Sequence, residues 1–321
     1  MTNIAIVIVN YRTPGLVKEC LASVARERAP GLTLKVYVGD ADSGDGSTGI
    51  IRDYIAEAGL DFCTCFDIGV NGGFAYGNNH ILEQHVLGDP GIDYVYFLNP
   101  DTYVRAGAIQ ALLTTLREHP KAGVAGSRLE NPDGSPRAYG FRFPAPWREF
   151  FGGARLGVAD RLVPSASVKI ENLEETGQVD WVTGASFMMP RPVLDVVGLM
   201  DARYFLYFEE VDLMARVRAA GYEIWHVADS RVVHLAGQST GVRSDEKLKR
   251  VPAYWYESRY KFFHDRYGKG QAVLANMLFL TGDLVYRAHR TARGKQILDA
   301  PFLWRDMIAH GFSLPKARGA R

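Results

Sequence analysis

The chain reads as an α/β protein, a mostly parallel sheet flanked by helices and followed by a C-terminal helical segment. Three observations predict this. Short β-branched runs alternate with segments of helical spacing from Ile4 to Gly126. Polar or Gly-rich clusters follow several of those runs, where ligands gather on such a sheet. From Lys247 to about residue 311 the spacing is helical.

Ile4–Val9 is a β-branched run, and Leu16–Arg28 has helical spacing. Leu34–Val38 is a second strand, followed by a helix over Thr48–Ala58 and a short strand at Phe62–Phe66. Phe74–Val86 is helical after a Gly-rich turn. Tyr94–Leu98 is the next strand, Ala106–Glu118 a helix stopped by His119-Pro120, and Val124–Gly126 a short extended piece. This βαβα rhythm implies parallel strands with right-handed crossovers. Residues 131–178 break it with frequent Pro, Gly and Arg, which predicts a long, partly mobile segment. Pattern returns at Val179–Thr183, at Met188, in a helix over Glu209–Ala220 and in a strand over Tyr222–Val227. His234 ends a further β-branched run before a Gly237 loop.

With 321 residues, 47% hydrophobic and 23% charged, the chain can bury a large core. A net charge of +1 gives no global basic field, so nucleic acid is not expected as a partner. Cys20, Cys63 and Cys65 lack CxxC spacing and predict a reduced, cytoplasmic setting. No signal peptide is expected, because the first strand begins without a charged n-region. The longest apolar stretch, Ala272–Tyr286, is broken by Asn276, Gly282 and Asp283. It suits a helix lying on a membrane or in a homodimer interface better than a span. Residues 287–321 hold eight Lys/Arg against two Asp, the one local charge asymmetry, and suggest peripheral contact with the inner face of a membrane.

Candidate chemistry sits where strands end. "VNYR", Val9, Asn10, Tyr11 and Arg12, closes the first strand and also suits a plain strand–loop junction. Asp40 closes the second, where a carboxylate can accept the imide N–H of a uracil or thymine ring. Asp45-Gly46-Ser47 reads as a turn and helix cap. "NGGFAYGNN" is neither a dinucleotide fingerprint nor a Walker loop. Its Asn71, Gly72 and Gly73 can still offer backbone donors to a diphosphate or ribose. In "FLNPDT" a strand ends at a proline, and Asp101 is a hard oxygen ligand suited to Mg²⁺ or Mn²⁺ on a diphosphate, or part of an Asn-Pro-Asp turn. Glu209, Glu210 and Asp212 cluster at a helix start, behind Phe205, Tyr207 and Phe208. Apolar walls raise a carboxylate's pKa and suit a general base, while the helix macrodipole alone would explain two of these acids. Asp212 lies about 200° around the helix from Glu210, so it faces elsewhere and is expected to pair with an Arg or cap the helix. His234, at a strand end, is either a structural histidine or a metal ligand.

The order of these pieces resembles glycosyltransferase family 2, inverting enzymes of the GT-A fold, and especially its bacterial rhamnosyltransferase-like members. The matching pieces, over about residues 3–265, are "IVIVNYR", "VGDADSGDGS", "NGGFAYGNN", "FLNPDT", "VTGASFMMPR", "FLYFEEVDL" and "SRYKFFHDRYG". The resemblance implies a catalytic domain over 1–245 and a helical extension over 246–321. Within that domain, 1–130 would bind the nucleotide sugar and 131–245 the acceptor. It puts Val9 to Arg12, Asp40, Asn71 to Gly73, Asn78, Asn99 and Asp101 around the donor, with Asp40 on the base. Asp101 occupies the second acid position of an Asp-x-Asp motif whose first acid is here Asn99, and Ala41 follows Asp40 where the family pattern differs. Asp101 and His234 would hold the divalent cation. Glu210 occupies the usual base position, with Glu209 as its competitor. Trp181, Thr183, Gly184, Ala185, Tyr207 and Phe208 would line the acceptor side. The implied reaction is sugar transfer from a dTDP- or UDP-sugar, dTDP-L-rhamnose favoured, to a glycan or lipid-linked hydroxyl in cell-surface polysaccharide synthesis. A nucleotidyltransferase would need a Gly-rich, basic loop after the first strand, where residues 10–16 offer only Arg12. A non-catalytic sugar-nucleotide-binding protein would have lost the acids that remain here.

Overall fold

The computed structural model describes residues 1–137, 140–155, 163–170, 173–235 and 249–314. The Gly237 loop, the Lys247 start of the expected helical run and the basic segment from residue 315 onward lie outside the described residues.

Strands β1 (Thr2–Asn10), β2 (Leu32–Asp40), β3 (Cys63–Asp67) and β4 (Tyr94–Leu98) are joined by α1 (Pro14–Ala25), α2 (Ser47–Glu57) and α3 (Phe74–Ile81). They lie in the order β3-β2-β1-β4, all parallel. Ile4 to Ile8 are buried without alternation, as a strand covered on both faces requires. Ile4, Ile6 and Ile8 face one core layer, and Ala5 and Val7 face the other.

The sheet continues through β10 (Ser186–Pro190), β6 (Ala122–Glu130), β11 (Glu223–His234) and β5 (Thr102–Val104), with β8 (Gly177–Val179) also on β11. Only β10 separates β4 from β6, and it runs against both. Four buried hydroxyls cross these strands. Tyr96 contacts Ser186 at 2.8 Å, Ser186 contacts Ser127 at 2.6 Å, and Ser127 contacts Ser230 at 2.8 Å. A small ribbon, β7 (Gly140–Phe141) with β9 (Trp181–Val182), stands apart. The described helices are completed by α4 (Ala108–Glu118), α5 (Pro146–Ala154), α6 (Arg191–Val197), α7 (Glu209–Ala219), α8 (Ala253–Tyr267), α9 (Lys269–Ala292) and α10 (Leu303–His310).

Three expectations need correction. Tyr222–Val227 and the run ending at His234 are one strand, β11, with its register shifted between Val227 and Arg231. A bulge breaks the period-two pattern without ending the strand. Phe74–Val86 is α-helical to Ile81 and closes in a π-turn over Leu82–Val86. The described part of 131–178 is not simply irregular, because it contains α5. The glycines that disguise α5 permit its approach to α9. A Cβ on Gly153 would lie 2.3 Å from the Phe279 carbonyl oxygen, and one on Gly282 would lie 2.1 Å from that of Phe150. Across the same seam the buried Arg259 of α8 donates to Glu149 at 2.6 Å and to Asn276. Tyr204 and Val211 share one apolar cluster with Tyr260, Phe262, Phe263, Ala272 and Ala275, so the C-terminal helices brace the segment that presents Glu209 and Glu210.

Candidate active site

The carboxyl ends of β1 and β2 are in register, Asn10 opposite Asp40. Asn10 Nδ2 donates to Asp40 Oδ2 at 2.5 Å. Ser43 donates its backbone N–H to Oδ1 at 2.9 Å and its hydroxyl to Oδ2 at 2.8 Å. Asp40 is therefore first an organiser of the loop after β2, and Oδ1 keeps a lone pair for a further donor. Asn10 Oδ1 accepts from the backbone and hydroxyl of Thr13 at 3.2 and 2.9 Å. Arg12, in the left-handed region at φ 58°, donates its backbone N–H to the Ser43 hydroxyl at 2.8 Å and Nε to the Ser43 carbonyl at 3.0 Å. Its guanidinium stands 5.0 Å from the Tyr11 ring centre, so an exposed cation sits at this strand end. Val9 packs toward Gly77, where a Cβ would come within 2.7 Å of its side chain.

The Gly-rich turn differs from expectation. Gly73 N–H already donates to Asn71 Oδ1 at 3.2 Å, and Phe74 N–H donates to the Phe205 carbonyl at 2.9 Å. Gly73 has φ +91°, and a Cβ there would lie 1.9 Å from the Phe205 oxygen. A Cβ on Gly72 would meet the Tyr76 ring at 2.4 Å. Gly73 serves close backbone approach and Gly72 makes room for the Tyr76 ring, and the Gly73 amide is not a free donor. Asn78, expected near the donor, is buried and bonds the Phe74 carbonyl at 2.9 Å inside α3. Asn79, which the sequence reading passed over, ties α3 to Met200 through both of its amide groups, at 2.7 and 3.1 Å.

Asp101 follows β4 and is 2% exposed. Because β5 pairs with β11, Thr102 lies opposite His234. His234 Nε2 stands 3.2 Å from Asp101 Oδ1, and Leu235 N–H donates to the Asp101 carbonyl at 3.0 Å. The histidine contact is close but misaligned for a hydrogen bond, so both Asp101 carboxylate oxygens and Asn99 Oδ1 are buried without a hydrogen-bond partner. Such groups are costly unless something occupies them. Among the described residues, no three His, Cys, Asp or Glu converge. The donor set here is two oxygen groups and an imidazole, which fits a hard divalent cation that takes its remaining ligands from a diphosphate and water.

A short strip links this corner to the acids of α7. Asn99 N–H donates to the Ala185 carbonyl at 2.9 Å, and the Thr183 hydroxyl accepts from Ala185 N–H at 3.3 Å. A Cβ on Gly184 would stand 3.6 Å from both Glu210 Cβ and the Phe74 ring. Tyr207 and Phe208, at φ 71° and 70°, form two successive left-handed residues immediately before α7. Non-glycine residues hold that conformation only under constraint from their surroundings. Glu209 and Glu210 each bury one carboxylate oxygen without a partner. Burial pushes both pKa values up. For Glu209 the neighbouring Glu210 charge adds to that rise. For Glu210 backbone N–H groups, its own and Gly184's foremost, pull partly the other way. Asp212 faces away and accepts from Arg216 Nε at 3.0 Å, as its position on the helix implies.

Trp181 packs against the cluster that holds Tyr204 and Val211. Its ring stacks on Phe141 at 4.1 Å and its indole N–H donates to the Arg142 carbonyl at 3.0 Å, so it serves the β7–β9 ribbon. Sequence reasoning missed Tyr254 at the start of α8, whose ring lies 5.3 Å from Phe205 and 6.1 Å from Tyr207. Its aromatic neighbour Trp255 was the available signal.

Residues 5–175 match the family model described as glycosyl transferase family 2. The chain belongs to glycosyl transferase family 2. Among family relatives, it is 33% identical over 236 residues to the N-acetylglucosaminyl-diphospho-decaprenol L-rhamnosyltransferase of Mycobacterium tuberculosis, covering 70% of this chain and 74% of that protein. It is 29% identical over 188 residues to rhamnosyltransferase WbbL of Escherichia coli, covering 56% of this chain and 65% of that one. This family 2 enzyme also superposes on the mannosyltransferase PcManGT of Pyrobaculum calidifontis, solved with GDP-Man and Mn²⁺. That match has a TM-score of 0.54 at 16% identity, over 91% of this chain and 76% of that one. S. aureus TarS gives a TM-score of 0.52 at 13% identity, over 97% and 80%. The fold of this glycosyltransferase is GT-A, and family membership removes the nucleotidyltransferase and non-catalytic readings.

Proposed function

We propose that this glycosyltransferase moves L-rhamnose from dTDP-L-rhamnose to a hydroxyl of a lipid-linked glycan, with inversion, in cell-surface polysaccharide synthesis. The donor and acceptor classes are supported by the L-rhamnosyltransferase relative, whose name specifies a diphospho-decaprenol acceptor. The mechanism is carried by one observation. Glu210 is an acid with a buried, unpartnered oxygen and a raised pKa, standing beside Gly184 between the Asn99 corner and the aromatic segment.

Asp40 accepts the imide N–H of the thymine ring through Oδ1, held in place by Asn10 and Ser43. Arg12 offers its charge to the diphosphate. Asp101, Asn99 and His234 would hold Mg²⁺ or Mn²⁺, which neutralises charge developing on the departing nucleoside diphosphate. Phe205, Tyr207 and Tyr254 offer rings to the C–H faces of the acceptor sugar. Glu210 accepts the proton of the attacking hydroxyl. A single displacement from the face opposite the leaving group inverts the anomeric carbon. Burial raises the pKa of that base above the ordinary carboxylate value, which makes it a stronger proton acceptor.

The test is product analysis with dTDP-rhamnose, UDP- and GDP-sugars against a polyprenyl-diphosphate sugar. Transfer from dTDP-rhamnose with inverted configuration is expected. Glu210→Gln should lower kcat about 10²–10⁴-fold while donor binding stays near wild type. A retained configuration, or a fully active Glu210→Gln, refutes the mechanism.

A further inference from the structure

We propose that the outward face of α9 docks on an anionic lipid bilayer. The helix turns Ala272, Ala275, Asn276, Gly282, Asp283 and Tyr286 into the protein. At about 100° per residue, the opposite arc carries Leu274, Met277, Thr281, Leu284, Val285 and Ala288. Its four large apolar side chains are 44%, 53%, 53% and 36% exposed in that order, Leu274, Met277, Leu284 and Val285. No charged residue interrupts the arc, since Asp283 and Arg287 lie on the other side and pair with each other at 2.6 Å. An apolar stripe of this length on a folded protein marks a contact surface.

Charge selects what that surface meets. Exposed Arg293 and Lys295 follow the stripe directly. Residues 287–321 hold eight Lys/Arg and two Asp, and both acids are already paired, Asp299 with Arg155 and Arg287, Asp306 with Arg250. This segment contributes +6 to a chain whose total is +1, leaving residues 1–286 at −5. An anionic surface therefore attracts the exposed Arg293 and Lys295 that follow the stripe. A second copy of the chain would present the same positive charge to them. No described helix is long and apolar enough to cross a membrane, so the helix lies on the surface.

Flotation of the full chain with phosphatidylcholine vesicles, with and without phosphatidylglycerol, tests it. Binding should require the anionic lipid and weaken with salt. Met277→Glu with Leu284→Glu should cut the bound fraction at least about tenfold at an unchanged Tm. Arg293→Glu with Lys295→Glu, at residues clear of the core, should cut it about fivefold or more. Transfer to a soluble acceptor should persist in all of these variants. Failure of the wild-type chain to bind, or wild-type binding by the stripe variants, overturns the proposal. So does a sedimenting dimer that Met277→Glu splits while vesicles stay bare, which assigns the face to a second copy.

Discussion

Replacing Gly73 by Ala tests the link between the Gly-rich turn and the acids of α7. A Cβ there would sit 1.9 Å from the Phe205 carbonyl oxygen, against the 3.0 Å below which real contacts essentially never fall. One backbone must therefore retreat by at least 1.1 Å. The backbone of Gly73, at φ 91° and ψ −177°, lies in a region open essentially to glycine alone, which adds roughly 1–3 kcal/mol of strain for any residue with a Cβ. Losing the Phe74–Phe205 backbone bond, 2.9 Å long, adds about 1 kcal/mol. Urea unfolding should thus read a loss of about 2–4 kcal/mol. The functional cost should be larger in kind. Phe205 leads through the left-handed Tyr207 and Phe208 into Glu209 and Glu210, and a shift near 1 Å at a reacting group costs on the order of 100-fold in rate. Steady-state kinetics should find kcat down by about that factor, with donor affinity nearly intact. A variant with wild-type kcat and stability within about 0.5 kcal/mol would mean that turn and acids are not in contact.

EDTA should abolish transfer, and Mn²⁺ or Mg²⁺ should restore it in wild type but not in Asp101→Ala; Mn²⁺ binding followed by electron paramagnetic resonance gives the same comparison without turnover. Glu209→Gln should flatten the pH dependence of stability. Its raised folded-state pKa means the native state holds more protons above the unfolded value of about 4.3, so wild-type stability falls as pH rises from there. The variant's Tm should decline less as pH rises above the unfolded carboxyl's pKa; parallel Tm curves would contradict a buried, proton-holding Glu209. Gly282→Ala, whose Cβ would fall 2.1 Å from the Phe150 oxygen, should destabilise by about 1–2 kcal/mol after the helix-propensity gain, whereas Gly152→Ala, with open space around it, should be neutral or stabilising.

Much of the first four strands was legible because they are largely apolar runs that end at polar residues. Asn10, Asp40 and Asp101 each stand at or just beyond such a stop. The opposite orientation of Asp212 was also readable, since helical geometry is local. Other features left weaker signals. In α5 the Gly152-Gly153 pair imitates a loop, although Gly153 exists for contact with a helix well over a hundred residues later. The β11 bulge hid a continuous strand from a period-two reading. The hydrogen bond of Asn78 inside α3 and the ring partners of Trp181 are tertiary and local packing details that the sequence pattern did not display. Tyr254 joins Phe205 and Tyr207 only through tertiary packing, which no local pattern encodes.

The file of hydroxyls from Tyr96 to Ser230 works like the teeth of a key. Each sits on a different strand, β4, β10, β6 or β11, and each is sealed from water. Sliding β10 by one residue would turn Ser186 to the other face and offer Ala185 or Phe187 to Tyr96 and Ser127. The stranded hydroxyls would cost about 1–3 kcal/mol apiece. An all-aliphatic middle would tolerate that slip far better, since one apolar side chain replaces another. Because β10 continues directly from Gly184 and Ala185, the same lock fixes how far the strip beside Glu210 projects from the sheet. Ser186→Ala would thus loosen the alignment of Asn99 and Glu210 from within the core.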